Sequence, residues 1–251
     1  MRGLPQAYAH GDCVHPRPLL DALDLGFSNV EADVWLRDGQ ILVAHDEEDL
    51  RPDRTLLNTY LQPLAELARG NDGSIFEPGA EFVLLIDIKN EPEAIYAALK
   101  REIEPIREML SEYQVGKGVM KRGVTLILSG DKPTATVSGE DHRFVFIDGR
   151  LPDLDQHVDK ELMPWISDNW EEHFDWRGEG PLQPADARRL AGIVDRAHSL
   201  GCLVRFWSAP DSPTGWQTLL DFGADLLSTD RLCQLSTFLR DGKLVSSNES
   251  D

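Results

Sequence analysis

Two histidines and two acids with a spacing suited to catalysis lie within the first 46 residues. His10 ends the short apolar run AYAH, and His45 ends the run QILVAH. Between them, the segment EADV places Glu31 and Asp33 two residues apart, on one face of a predicted strand. Imidazole titrates near neutral pH and carboxylates bind cations, so the pattern predicts acid–base chemistry beside a metal. A lone histidine on a strand is more often structural, but a pair beside the same carboxylates favours catalysis.

A third acid ends the later apolar run EFVLLIDIK, in which Asp87 and Lys89 share a face. Together with Glu31 and Asp33 it would form a trio of carboxylates that repel one another unless a cation neutralises them. An all-oxygen ligand set suits one Mg²⁺ or Ca²⁺ ion better than Zn²⁺. Each acid taken alone could instead be satisfied by solvent or by a helix N-terminus. Lys89 is expected to pair with Asp87, to contact a phosphate oxygen, or to do both.

Further polar side chains follow the other apolar runs. Arg205 and Trp207 share a strand face, where an arginine suits an anionic group and an indole supplies a wall; a packed indole beside an ion pair is the structural alternative. Four residues are therefore predicted to contact the substrate: Lys89, Asp148, Arg205 and Trp207. The remaining histidines are interpreted as surface or loop residues: His15, His142, His157, His173 and His198.

The elements that must position these residues alternate between apolar strands and helices. Eight core strands are predicted, near residues 8, 31, 85, 126, 145, 166, 205 and 227. Helices are predicted over 16–25, 61–68, 91–110, 184–200, 216–222 and 232–239. This alternation favours a closed α/β barrel, the (β/α)8 TIM barrel, whose active site lies at the carboxyl ends of its strands. No G-x-G-x-x-G motif follows the first strand, which disfavours an open dinucleotide-binding sheet.

Composition excludes several other classes. The formal net charge of −19 argues against a protein that binds nucleic acid or an anionic membrane surface. Three cysteines without metal-ligand spacing indicate reduced thiols. No apolar run approaches the roughly 18 residues that a membrane helix needs.

The same features set expectations for organisation and location. We expect one domain over residues 1–251, with a frayed tail over 245–251. The polar N-terminus does not read as a signal peptide, which predicts a cytoplasmic protein; a chain from which a signal peptide had been removed would look the same and would be secreted. The sequence does not predict the oligomeric state.

The order of these motifs resembles the phosphatidylinositol phospholipase C-like phosphodiesterase superfamily, which includes glycerophosphodiester phosphodiesterases. The likeness rests on His10, EADV at 31–34, the D-G turn at 38–39, AHD at 44–46 and DIK at 87–89. The chain resembles in particular the "altered inheritance of mitochondria" group, at RPLLDALDLGF, SGD, DGR, VRFW and STD.

The resemblance has implications for individual residues. It implies a TIM barrel in which His10 and His45 are the catalytic histidines and Glu31, Asp33 and Asp87 are the metal ligands. Lys89 matches the family's basic position after the third ligand, and Trp207 matches its late barrel tryptophan.

Three features depart from glycerophosphodiester phosphodiesterases. Gly11 and Asp12 follow the first histidine, where those enzymes usually have an arginine that touches phosphate. The segment 46–80 is too short for the insertion that they carry after the second histidine, and the third acid is Asp87 rather than glutamate. These departures leave the reaction class standing and weigh against specificity for glycerophosphodiesters.

We therefore expect a metal-dependent phosphoric diester hydrolase that cleaves a small glycerophosphodiester- or phospholipid-like substrate with His10 and His45 as its acid–base pair. The superfamily mechanism implies attack by a neighbouring substrate hydroxyl through a cyclic phosphate. Attack by water and phospholipase D-like lyase chemistry stay open.

Two further classes are weighed against this expectation. A non-catalytic barrel that binds a phosphorylated ligand is disfavoured because all five catalytic positions are present. A metal-dependent sugar or amide hydrolase is disfavoured because the chain has no H-x-H pair.

Overall fold

The apolar runs form a closed barrel of eight parallel strands in a computed structural model that describes residues 2–156 and 158–241. The barrel order is β1-β2-β4-β7-β9-β10-β11-β12, and β12 closes on β1; each predicted strand position falls within one of these strands, which confirms the TIM barrel. In chain order the strands are β1 (Leu4–Ala9), β2 (Phe27–Arg37), β3 (Gln40–Val43), β4 (Phe82–Ile88), β5 (Glu112–Gln114), β6 (Gly118–Met120), β7 (Val124–Gly130), β8 (His142–Arg143), β9 (Val145–Gly149), β10 (Trp165–Asn169), β11 (Leu203–Trp207) and β12 (Leu226–Thr229). The predicted tail over 245–251 lies outside the described residues.

All six predicted helices are present, two of them shortened, and two short α-helices over Thr134–Ser138 and Trp170–His173 were not predicted. The helix predicted over 91–110 is α-helical only to Ile103 and continues as a 3₁₀ helix over Glu104–Met109, because Pro105 has no N–H to donate. The helix predicted over 16–25 begins only at Leu20, after two prolines. The α-helices are α1 (Leu20–Asp24), α2 (Gln62–Gly70), α3 (Pro92–Ile103), α4 (Thr134–Ser138), α5 (Trp170–His173), α6 (Pro184–Ser199), α7 (Pro213–Asp221) and α8 (Leu232–Asp241).

None of the helices in the described ranges combines the length and apolar character that crossing a bilayer requires. Their apolar faces pack instead on the outer face of the barrel. Leu99 of α3, Leu190 of α6 and Leu235 of α8 are all fully buried in the same cluster as the outward residues of the strands. Each such side chain contributes about 1.5–3 kcal/mol on burial, and together they fix the strands that carry the site.

Alternation along the strands divides the barrel interior into an apolar half and a charged half. The apolar half, at the amino ends, is formed by Tyr8, Val83, Leu85, Ile127, Phe146, Trp165 and Leu226. Two residues further along the same strands, the interior side chains are polar: the half-buried Asp87 follows Leu85, and the buried Ser129, Asp148 and Ser167 follow Ile127, Phe146 and Trp165. The two-residue period of a strand therefore collects the polar groups at the carboxyl ends.

A β-hairpin carries His45 to this end of the barrel. β3 pairs antiparallel with β2, and Arg37 lies opposite Gln40. The two turn residues between them, Asp38 and Gly39, both have positive φ (51° and 77°), as a tight hairpin turn requires. The returning chain is held by a hydrogen bond of 3.2 Å from the Ala44 N–H to the carbonyl of Asp33, which places His45 beside the acids.

A small antiparallel sheet of β6, β5 and β8, which the sequence analysis did not predict, lies at the opposite end. Tyr113 and Val119 from this sheet pack against the apolar half of the barrel interior. The sheet therefore covers part of the amino-terminal mouth.

Candidate active site

Eight of the nine predicted site residues line one cavity of about 280 Å³ at the carboxyl ends of the barrel strands. They are His10, Glu31, Asp33, His45, Asp87, Lys89, Arg205 and Trp207, and they are joined there by Ser129, Gly130 and Arg150. The ninth, Asp148, lies behind the cavity wall. Residues at the ends of six barrel strands, together with His45 after β3, thus meet at one mouth of the barrel.

The three predicted carboxylates converge because of strand register. Asp33 of β2 and Asp87 of β4 are direct neighbours in the parallel pairing, and Glu31 precedes Asp33 by two residues on the same face. One oxygen from each carboxyl group lies within 4.8 Å of the others. An all-oxygen set of this size fits a hard divalent cation such as Mg²⁺ or Ca²⁺.

Lys89 lies among these acids. Its Nζ is 2.7 Å from Oδ1 of Asp33 and also donates to Oδ2 of Asp87. Burial would lower the pKa of Lys89, but Asp33 and Asp87 together raise it above its usual range. The Lys89 ammonium thus neutralises part of the negative charge of the three carboxylates. The negative charge that is left would attract a cation.

Two of the three carboxylates are also held by residues other than Lys89. The hydroxyl of Tyr8 donates to Oε2 of Glu31 at 3.0 Å, and Sγ of Cys13 donates to Oδ2 of Asp33 at 3.2 Å. Among the described residues, no hydrogen bond reaches Oε1 of Glu31 or Oδ1 of Asp87, so each keeps one oxygen for a ligand. Burial, with added repulsion from Asp33 and Asp87, raises the pKa of Glu31, a cost that a bound cation would remove.

Gly130 makes room for Asp87. Its backbone has a φ of +66°, and a Cβ at this position would lie 2.7 Å from Oδ1 of Asp87. A side chain here would collide with an oxygen that the cation site needs. The glycine is therefore part of the site geometry.

The two histidines lie beside the acids with an acidic partner each. Nδ1 of His10 is 2.8 Å from Oδ1 of Asp230, which leaves Nε2 to exchange a proton. The hydrogen bond to Asp230 raises the pKa of His10 above its usual value, against the opposing effect of burial. Nδ1 of His45 lies 3.2 Å from Oδ1 of Asp46.

Asp148 is fully buried and holds the basic side of the cavity together. Its carboxylate accepts hydrogen bonds from Ser129 (2.9 Å) and Ser167 (2.5 Å), and from Arg150 (2.8 Å) and Arg205 (3.4 Å). Burial alone would raise the pKa of Asp148, but the two arginines and the hydroxyls lower it overall. With these four partners, its predicted contact with a substrate stays a prediction.

Two arginines line the cavity. Arg205 is 3% exposed, lies over the Tyr8 ring at 4.3 Å, and has an Nη1 atom that is buried without a hydrogen-bond partner in the described part of the chain. Arg150 lies 4.9 Å from the Trp207 ring centroid and was missed by the sequence analysis. It follows Asp148 by two residues but lies just beyond the end of β9, so the strand period that grouped the other polar residues does not extend to it.

A second group of His and acid residues lies at the end of β10 and in α5, and its geometry argues against a metal. The group comprises Asp168, Glu172 and His173. A guanidinium N–H of Arg189 donates to Nδ1 of His173 at 3.1 Å, so Nε2 must carry the ring proton. Nε2 lies 3.4 Å from Oδ1 of Asp168 and makes no hydrogen bond within the described part of the chain. A ring nitrogen that carries a proton is not a metal ligand.

The other predicted non-site histidines lie away from the cavity. His142 and His198 are exposed and pair with Glu112 and Asp225, and His15 is half-buried. His157 lies outside the described residues.

Comparison with known proteins gives the chain a family. The family model described as "AIM6-like phosphodiesterase domain" matches residues 5–148. "Altered inheritance of mitochondria protein 6" of Lachancea thermotolerans is 30% identical over 91% of this chain, and the chain spans 64% of that relative's length. The protein of the same name from Saccharomyces cerevisiae is 29% identical, over 92% of this chain and 70% of the relative.

Two solved structures share the fold at low sequence identity. A glycerophosphodiester phosphodiesterase from Agrobacterium tumefaciens matches with a TM-score of 0.54 and 14% identity, over 95% of this chain and 100% of that one. A calcium-dependent phosphoinositol-specific phospholipase C from Pseudomonas sp. matches with a TM-score of 0.55 and 13% identity, over 92% of this chain and 90% of that one. Both likenesses support the barrel architecture.

Proposed function

Because the chain belongs to the AIM6-like phosphodiesterase domain family, we propose that it is a phosphoric diester hydrolase that requires one divalent cation. The observation that carries the proposal is the cavity at the carboxyl ends of the strands. There Glu31, Asp33 and Asp87 meet between two histidines and face basic side chains. Carboxylates for a cation, imidazoles for proton transfer and cations for an anionic group are the parts that cleavage of a phosphodiester needs.

Glu31, Asp33 and Asp87 would hold the cation, Mg²⁺ or Ca²⁺. When bound, the cation supplies Lewis-acid stabilisation of the negative charge on the phosphate. Tyr8 and Cys13 hold two of the three carboxylates in place, and Gly130 keeps the third accessible. This chain therefore prepares the ligand set with contacts of its own.

The histidines divide the proton transfers. His10, whose pKa is raised by Asp230, holds a proton at Nε2 and donates it to the leaving alkoxide. His45 follows the end of β3, where the neighbouring Ala44 is bonded to the backbone of Asp33. It accepts the proton of the attacking hydroxyl. That hydroxyl belongs to a neighbouring part of the substrate, which would give a cyclic phosphate, or to water.

The basic side chains bind the phosphate. The unpartnered Nη1 of Arg205 donates to a phosphate oxygen, and Arg150 and Lys89 add positive charge along the same wall. Trp207 forms the wall against which the alcohol group lies. In this proposal Asp148 does not touch the substrate but positions both arginines, since its oxygens already have four donors.

A small phosphodiester or a lipid head group fits this site better than a whole lipid. The cavity of about 280 Å³ lies near the lower limit of small-ligand pockets, about 300 Å³. The A. tumefaciens structure is that of a glycerophosphodiester phosphodiesterase and the Pseudomonas structure that of a phosphoinositol-specific enzyme. We therefore propose a diester of glycerol or of a similar polyol as the substrate class.

A panel of phosphodiesters tests the proposal. The protein, first stripped with chelator, is assayed with Mg²⁺ or Ca²⁺ on glycerophosphodiesters, inositol phosphodiesters and lysophospholipids, and products are identified by ³¹P NMR. We expect cation-dependent cleavage of at least one polyol diester, with the cyclic phosphate or the monoester as product. Failure to cleave any member with either cation would support a barrel that only binds phosphorylated ligands.

A further inference from the structure

A second cavity, of about 440 Å³, opens at the amino-terminal end of the barrel, opposite the proposed active site. It is lined by the first residues of the barrel strands, among them Val83, Ile127, Phe146, Trp165 and Leu226. All five side chains are at least 95% buried and belong to the apolar half of the interior. Ser28, Asn29, Ser111 and Thr125 add polar groups to this lining. TIM barrels normally fill this space with side chains, so a cavity with apolar walls here leaves room for a ligand.

The shape of the walls restricts what that occupant is. Side chains from strands around the whole barrel surround the cavity, and an eight-stranded barrel leaves an interior only wide enough to hold its own side chains or one small ligand. A space confined within eight strands suits a single hydrocarbon chain better than a broad ring system. The volume lies within the range of small-ligand pockets, about 300–1,000 Å³.

The rim is polar. Lys121 pairs with Glu81 at 2.7 Å, so these two charges balance one another. Lys160 and Glu161 also line the rim, and neither side chain has an ion-pair partner within 4 Å among residues 2–156 and 158–241. A polar head at this position therefore meets a cation and a hydrogen-bond acceptor, while Leu203, which is 40% exposed, offers apolar surface at the entrance.

The floor of the cavity separates it from the other end of the barrel. The ring of Tyr8 packs edge-on against Trp165 with centroids 6.2 Å apart, and Arg205 lies on the Tyr8 ring. Tyr8 turns its hydroxyl towards Glu31 at the opposite end. A ligand in the cavity at the amino-terminal end is thus blocked by Tyr8 and does not enter the phosphodiester site.

We propose that this cavity binds a single unbranched hydrocarbon chain, with its polar end at the rim beside Lys160 and Glu161. The hydrocarbon chain contacts the apolar walls of the cavity and covers the indole of Trp165. Lys160 is the partner for an acidic head group. The contribution of Lys160 to binding affinity therefore distinguishes a fatty acid from a neutral alcohol as the ligand. The inference is independent of the reaction proposed for the opposite end.

The test uses decanoate and 1-decanol, below the concentrations at which they aggregate, on the whole protein. We expect saturable binding of at least one by titration calorimetry, and nuclear Overhauser contacts between its chain methylenes and the indole of Trp165. Val119→Trp fills the cavity from the covering sheet and should weaken binding at least about tenfold, because Val119 lines it. Met120→Trp adds the same bulk at the neighbouring, exposed position and should leave affinity within about twofold.

Lys160→Met identifies the head group. If it weakens decanoate and spares decanol, the chain is that of a carboxylate; if it weakens neither, the chain is that of a neutral amphiphile. Absence of saturable binding of both probes to the wild-type protein overturns the proposal. So does equal binding by Val119→Trp and wild type, provided that thermal melts show both folded, and the contacts to Trp165 decide the question without any variant.

Discussion

Nδ1 of His10 lies 2.8 Å from Oδ1 of Asp230, a residue 220 positions later in the chain. Closure of β12 on β1 brings the two together, since the His10 N–H also donates to the carbonyl of Thr229. The acid raises the pKa of His10 and fixes its ring, which makes His10 the proton donor of the proposed pair.

Asp230→Asn should lower the pH at which activity declines on the alkaline side, because the pKa of His10 falls when the acid is removed. We expect the alkaline limb of the kcat/KM profile to shift down by about 1 pH unit and the maximum to fall roughly tenfold. Asp225→Asn changes a similar His–Asp pair, 2.8 Å apart, away from the site and should leave the profile unchanged. An unchanged profile in Asp230→Asn would remove His10 from the role of acid.

Lys89 and a divalent cation use the same carboxylates, so removing Lys89 should favour the cation. Lys89→Gln is expected to bind Mg²⁺ or Ca²⁺ roughly tenfold more tightly, a gain of about 1.4 kcal/mol, while turnover falls because a phosphate contact is lost. Calorimetric cation titration measures the first effect and a steady-state assay the second. Lys121→Gln, at the other end of the barrel, is the control. Weaker cation binding by Lys89→Gln contradicts the shared-carboxylate account.

Asp148 is the counter-ion of the buried Arg205, and its loss should destabilise the fold. Asp148→Ala leaves a guanidinium that is 3% exposed without its acid and should lower the free energy of unfolding by about 3–5 kcal/mol. Asp155→Ala breaks an exposed pair with Arg196 and should cost less than about 1 kcal/mol. Urea unfolding of the three proteins compares them. A loss for Asp148→Ala as small as that for Asp155→Ala would show that Arg205 does not depend on this acid.

Asp12 should make stability depend on pH. Burial raises the pKa of Asp12 from 3.8 to about 6, although Leu19 and Tyr60 donate to its carboxylate. The folded protein therefore keeps a proton that the unfolded chain has lost, and the unfolding free energy falls as pH rises through this range. Wild type should lose roughly 1.5 kcal/mol of unfolding free energy between about pH 5 and pH 7.5 through this group. Asp12→Asn lacks the carboxyl group, so its unfolding free energy relative to wild type should rise by that amount over the same range.

Urea unfolding at the two pH values measures this difference. The exposed Asp195→Asn is the control and should track the wild type. If the difference between Asp12→Asn and wild type is the same at both pH values, Asp12 is ionised in both states.

The barrel and most of the cavity follow from local sequence pattern. The run from Val83 to Lys89 alternates on the inner face as Val83, Leu85, Asp87 and Lys89, so the same period that predicts the strand also predicts which polar residue lies at its end. Because all barrel strands run parallel, these ends meet at one mouth. Glu31, Asp33 and Asp87 could therefore be grouped without knowledge of the structure.

What escaped prediction depends on distant neighbours. The predicted barrel already places the first and last strands side by side, but no local pattern specifies that the side chains of His10 and Asp230 form a hydrogen bond there. β5, β6 and β8 have only two or three residues each and are stabilised by packing of Tyr113 and Val119 on the barrel rather than by their own periodicity. The inward position of Arg150 depends on its bonds to Asp148 and Ser129, which only the folded chain forms.

The most direct test of the central claim is the cation dependence of phosphodiester cleavage by wild type and Asp87→Asn. We expect wild-type turnover to fall to background in chelator and to return with Mg²⁺ or Ca²⁺. Asp87→Asn should bind the ion more weakly and recover less than about 1% of that turnover, because one of the three carboxylates is gone. Full turnover by the wild-type protein in chelator, or by Asp87→Asn at the same ion concentration, would contradict the account.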